Sequence, residues 1–161
     1  MEILIANLLF STLIFGIAAR MYLVPKLGMV NPKTILLPIL LLHAFRHLGL
    51  MFLAPGAIYK GIPQEFAIPA AWGDFLAAIL ALISIVLVVK NSKASFLFLW
   101  IFNIEGSLDL LAAIFLATFF NASPYMGPAY WIPAFWVPAL LVSHYLTFMI
   151  LLQYPTWKTN N

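Results

Sequence analysis

Residues 67–89 read AIPAAWGDFLAAILALISIVLVV, twenty-three positions in which Asp74 is the one charge. A helix needs about 20 mostly apolar residues at 1.5 Å each to cross a hydrocarbon core roughly 30 Å thick. This stretch meets that length with room to tilt. A transmembrane strand would alternate apolar and polar residues over about ten positions, and this run does not. It therefore reads as a membrane-spanning helix.

Four further stretches satisfy the same rule: 3–24, 34–54, 95–120 and 130–153. Between them stand turn-forming residues: Pro25 and Gly28, Pro55 and Gly56, Asn91 and Ser92, then Asn121 to Gly127. The connections leave no room for a soluble domain. The expectation is an all-α integral membrane protein, one transmembrane domain over residues 1–161 built as a bundle of five helices. The first span has Glu2 as its one early charge and an apolar stretch too long for a signal peptide, so it reads as retained.

Composition agrees. Of 161 residues, 65% are hydrophobic and 8% are charged, where soluble domains carry about 25% charge. That excludes a cytosolic enzyme, a nucleic-acid-binding domain and a secreted disulfide scaffold. The net charge of +3 comes from scarce carboxylates, with no basic run to bind nucleic acid, and the absence of cysteine removes thiolate chemistry.

Orientation follows from the cations. Arg20, Lys26, Lys33, Lys90, Lys93 and Lys158 fall on one side of a five-span chain, and Lys60 alone on the other. Excess Lys and Arg mark the cytoplasmic side, which predicts an outside N-terminus, a cytoplasmic C-terminus and residence in an inner or plasma membrane. Trp72, Tyr125, Tyr130 and Trp131 fit the outer interface, and Tyr154 and Trp157 the inner one.

Gly73, Ala77 and Ala81 form a small-residue stripe that lets another helix approach closely, and Gly106 and Ala113 offer the same on span 4. Span 5 opens with Pro128, Pro133 and Pro138, each removing a helical donor. Irregular backbone survives in a membrane where protein or a wet cavity satisfies it. The prolines therefore mark either a kinked, packed helix or the wall of a cavity or gate.

The remaining charges lie inside the spans. Span 2 carries His43, Arg46 and His47, span 3 Asp74, span 4 Glu105 and Asp109, and span 5 His144. On helical spacing His43 and His47 share a face, as do Glu105 and Asp109, with Asn103 and Ser107 nearby. At about 1.5 Å per residue, all seven ionisable groups lie roughly 12–21 Å from an edge of the core. Charges at that depth cost at least about 2.5–3.5 kcal/mol each, so they face the bundle interior and find partners. Arg46 offsets one carboxylate of three, which leaves the balance to a divalent cation, to protons, or to a cationic ligand.

Three classes of function fit. The leading expectation is an intramembrane enzyme or binding protein for a lipid-soluble small molecule. In it His43, His47, Glu105 and His144 hold a zinc or iron ion or shuttle a proton, Asp109 or Asp74 acts as acid or base, and Arg46 holds the carboxylates ionised or binds an anionic group. A haem between a span 2 histidine and His144 is a weaker variant. The second class is a proton- or cation-coupled transporter or channel. The third is an accessory subunit whose cluster only holds the helices together; a homo-oligomer is a possible assembly, and for transport a dimer would supply the repeat one chain lacks.

Overall fold

The computed structural model describes residues 2–154; Trp157 and Lys158 lie outside them. Five helical spans, all long and apolar enough to cross a membrane, follow one another, and no strand forms among the described residues. Helix α1 covers Glu2–Tyr22. Helix α2 covers Pro32–Ala44 and runs directly into a 3₁₀ segment, Phe45–Leu53. Helices α3 and α4 cover Gln64–Val89 and Ser95–Phe119. Two short 3₁₀ turns and a π-helical segment, Ile132–Trp136, lead into α5, Val137–Gln153.

The expected helix ends have identifiable chemistry. Asn31 caps α2 by accepting from the Lys33 amide at 3.0 Å, with Pro32 at the first helical position, where no donor is missed. Helices α3 and α4 end alike. Asn91 (φ 52°) and Asn121 (φ 50°) adopt the left-handed conformation just past the last turn. Ser92 N–H then returns to the Leu87 carbonyl, and Ala122 N–H to that of Ala117, both at 2.9 Å, satisfying carbonyls the helix leaves open.

The connections pair at the two ends of the bundle. At one end the Lys33 ammonium donates to the Asn91 side chain, joining the α1–α2 and α3–α4 connections. At the other, Tyr59 N–H donates to the Tyr125 carbonyl and Ala129 N–H to that of Ala57, both at 2.9 Å. Neighbouring spans thus alternate in direction. Arg20, Lys26, Lys33, Lys90 and Lys93 gather at the first end, with Lys60 at the second.

Helix α3 is the hub, packed on both halves of span 2 and on α4. Its inner face is lined by Ala67, Ala70, Ala71, Ala77, Ala78 and Ala81, all buried, and short side chains let the neighbouring backbones come close. Helix α1 is peripheral, as its lack of mid-span charge implies. It leans on α5 and the π segment, makes no extended contact with α4, and buries only Leu4 and Ala19 among its described side chains. The apolar core is split in two. One half centres on Phe52, Phe66, Leu110 and Leu140, the other on Leu40, Leu99, Phe102 and Leu146. On each of the four inner spans the mid-span ionisable residues fall between these halves.

The prolines of span 5 produce the π segment. Pro138 has no N–H to give the Ala134 carbonyl one turn back, and the Ser11 hydroxyl of α1 donates to that carbonyl instead, at 2.8 Å. Ser11→Ala should therefore cost about 0.6–1 kcal/mol, and less when Pro138→Ala restores a backbone donor. Reversible unfolding in micelles of the two single variants and the double variant measures that coupling; additive effects would contradict it.

Candidate functional site

Arg46 is the centre of the polar layer. Its side chain is fully buried, and all three guanidinium nitrogens are engaged. Nε donates to Asp74 Oδ1 at 2.7 Å and Nη2 to Asp109 Oδ2 at 2.5 Å. Nη1 donates to the Gly106 carbonyl at 3.1 Å and faces His144 Nε2 at 3.4 Å. One cation from span 2 thus ties together α3, α4 and α5. Buried charges persist when they are paired and hydrogen-bonded on every side, and a planar fork of five donors suits four partners better than an ammonium would.

The two buried histidines are held in defined tautomers. Asn103 Nδ2 donates to the His144 backbone carbonyl at 3.3 Å, which turns Asn103 Oδ1 toward His144 Nδ1 at 2.7 Å. That nitrogen therefore carries the proton, and Nε2 presents its lone pair to Arg46. Ser143 spends its hydroxyl proton on the Leu140 carbonyl at 2.9 Å, so it accepts from His43 Nε2–H at 2.9 Å. His43 Nδ1 is left buried with no hydrogen-bond partner. The rings stand 4.2 Å apart, against Phe102.

Glycines make the room. A Cβ at Gly106 would lie 2.6 Å from His144 Nε2 and 2.7 Å from Arg46 Nη1. One at Gly49 would fall 2.5 Å from Asp74 Cβ, and one at Gly73 would overlap the Asp109 carboxylate. Span 2, α3 and α4 each give up a side chain where the ion-paired groups pass.

Of the seven residues expected to converge, Arg46, Asp74, Asp109, His43 and His144 do. His47 does not. Span 2 leaves the α-helix at Phe45, and in a 3₁₀ helix positions three apart eclipse. Arg46, Gly49 and Phe52 accordingly form the buried column below His43, while His47 turns outward and bonds the Ala44 carbonyl through Nδ1 at 3.0 Å. The shared face expected of His43 and His47 assumed a 3.6-residue period that the chain abandons there. Glu105 does share a face with Asp109, but it is half-buried and its Oε2 is enclosed without a hydrogen-bond partner. Among the described residues no group of three or more His, Asp or Glu side chains is arranged to hold a metal ion. The donor geometry therefore gives no support to the expected zinc or iron site. Ser143 and Gly49 were not singled out from the sequence; the spacing 43-46-49-52 was the available signal for Gly49.

A cavity of about 220 Å³ meets this cluster. It lies between α1, α3, α4 and the π-helical start of span 5, with Leu8, Phe66, Ile114 and Pro133 on its walls. Asp74 lines it as well, the one ionisable residue to do so among the described residues. Ile5 and Leu9 line it too while remaining 42% and 61% exposed, so the cavity opens sideways beside α1.

The domain of unknown function DUF8737 matches residues 3–152, a stretch that includes all of these elements except their outermost ends. The chain belongs to this family. No curated protein and no solved structure matches it. For this DUF8737 member, then, the chemistry of the site itself carries the functional reading.

Because Gly106 touches both Arg46 and His144, Gly106→Ala should destabilise the protein by about 1–3 kcal/mol through overpacking. Gly16→Ala is the control, since a Cβ there meets nothing within 4 Å; it should be neutral or slightly stabilising. Thermal unfolding in detergent compares the two, and equal effects would contradict the packing described.

Proposed function

We propose that this protein spans a membrane and binds a lipid-soluble small molecule inside its helical bundle, with the Arg46 cluster supplying the polar end of the site. The observation that carries the reading is that an apolar cavity ends on a buried ion-paired carboxylate, Asp74, and has its mouth on the apolar flank of the bundle. Binding sites for small molecules are mostly apolar and carry a few placed polar groups, and an ionisable residue at mid-span is costly to keep without a role. Asp74 would be the acid or base in any chemistry done on the ligand, with Asp109 behind Arg46 balancing the charge. The wall on the span 5 side is the segment that its prolines make irregular.

The proposal includes an orientation. The end bearing Arg20, Lys26, Lys33, Lys90 and Lys93 faces the cytoplasm, and the end bearing Lys60 faces out. The chain has no cysteine, so single substitutions report cleanly. Lys60→Cys should react with an impermeant maleimide on intact cells, and Lys93→Cys only after permeabilisation; the reverse pattern would invert the orientation.

Binding is tested with an aliphatic diazirine bearing a long alkyl chain. Photolabelling should concentrate saturably on peptides containing Leu4–Leu9 and Ala113–Thr118. Ala113→Phe, which fills the cavity from the α4 wall, should remove it while leaving thermal unfolding close to that of the native protein. Labelling spread evenly over all lipid-facing helices, unchanged in Ala113→Phe, would refute the site.

A further inference from the structure

The cavity meets only one side of the ion-paired cluster. Arg46 is 0% exposed and its nitrogens are taken by Asp74, Asp109, the Gly106 carbonyl and His144. Arg46 is also not among the residues that line the cavity, so an anionic group entering it meets no guanidinium donor there. Asp74 is different. Its Oδ1 accepts from Arg46 Nε, whereas Oδ2 has no hydrogen-bond partner and is not sealed by its surroundings. Held in an ion pair with Arg46, the side chain at the end of the cavity thus offers a carboxylate oxygen that accepts.

Size adds a second constraint. At about 220 Å³ the cavity is smaller than the roughly 300–1,000 Å³ typical of sites that enclose a drug-sized ligand. It holds a polar head and the first part of a chain. The remainder passes the exposed flanks of Ile5 and Leu9, where α1 and α4 lack extended contact, and stays in the lipid.

Resting on the binding role proposed above, we infer that the ligand is a long-chain or ring-bearing lipophile whose head donates a hydrogen bond to Asp74, a hydroxyl or an amine, and not an acid, phosphate or ketone. The head enters first and the tail remains in the bilayer. Ketones and ethers offer only acceptors and leave Asp74 Oδ2 unpaired, while a carboxylate adds a charge of the same sign. Sites built to pair one hydrogen-bonding group discriminate strongly against analogues that lack it.

Four matched probes test this on the full-length protein in nanodiscs: decan-1-ol, decan-1-amine, decan-2-one and decanoate, each competing with the diazirine photolabel. Decanol and decylamine should displace it, with decanone and decanoate at least about tenfold weaker, the scale of one lost hydrogen bond to a charged acceptor. The tighter of the first two assigns the donor as hydroxyl or ammonium. In Asp74→Asn, whose amide also offers a donor, the preference for decanol over decanone should fall about tenfold, a ratio that a general loss of stability would not move. Decanone or decanoate competing as well as decanol would overturn the head-group assignment while leaving the cavity as the site. Failure of every probe to compete, with labelling indifferent to Ala113→Phe, would instead remove the binding role itself.

Discussion

A guanidinium that cannot reach water imposes conditions on everything around it. Arg46 needs acceptors in the plane of its fork, and they come from three other helices: carboxylates from α3 and α4, a backbone carbonyl from α4, and an imidazole from α5. For those groups to meet, the helices must approach closely at that level, which is why Gly49, Gly73 and Gly106 stand where a Cβ would collide with the network. Outside this layer the alanine face of α3 does the same service with apolar contacts. The two halves of the hydrophobic core are ordinary lipid-style packing, and the polar layer between them fixes how the four inner helices are rotated. Apolar surroundings offer no competing hydrogen bonds, so a wrong rotation would leave several groups unpaired at once.

Much of this was legible in the chain because helices this long and apolar permit few solutions. Length and apolarity gave five spans; the turn residues Asn91 and Asn121 marked helix ends that close with left-handed caps. Arg46, Asp74, Asp109 and His144 were identifiable as a converging set from depth alone, since mid-span charges have to find one another. What failed was local geometry. His47 was assigned to the interior on a 3.6-residue period, but nine residues of 3₁₀ helix turn it out and bring Gly49 in. Ser143 and Asn103, which hold the two histidines in their tautomers, are short polar residues whose partners become apparent only when the helices are assembled. Neither the cavity nor the Ser11 contact could be read from one span, because each depends on the relation of α1 to helices distant in sequence.

Span 5 combines these themes. Its prolines make regular α-helix impossible at one end, and the chain answers with a π segment and a hydroxyl borrowed from α1. That irregular stretch also lines the cavity, through Ile132 and Pro133. Pro133 therefore both belongs to the break and lines the space beside Asp74.

Helix α1 is attached differently from the others. No charge of the central network belongs to it, and beyond apolar contact it is linked to span 5 by the Ser11 bond and by Asn7 Nδ2 donating to the Tyr130 hydroxyl at 3.3 Å. It can shift along α5 without breaking any bond to Arg46. The width of the cavity mouth is thus mechanically separate from the integrity of its floor. On the proposed binding role, forces that change the tilt of this helix would act on the mouth, where Ile5 and Leu9 stand, and leave the Arg46–Asp74 pair at the floor unchanged.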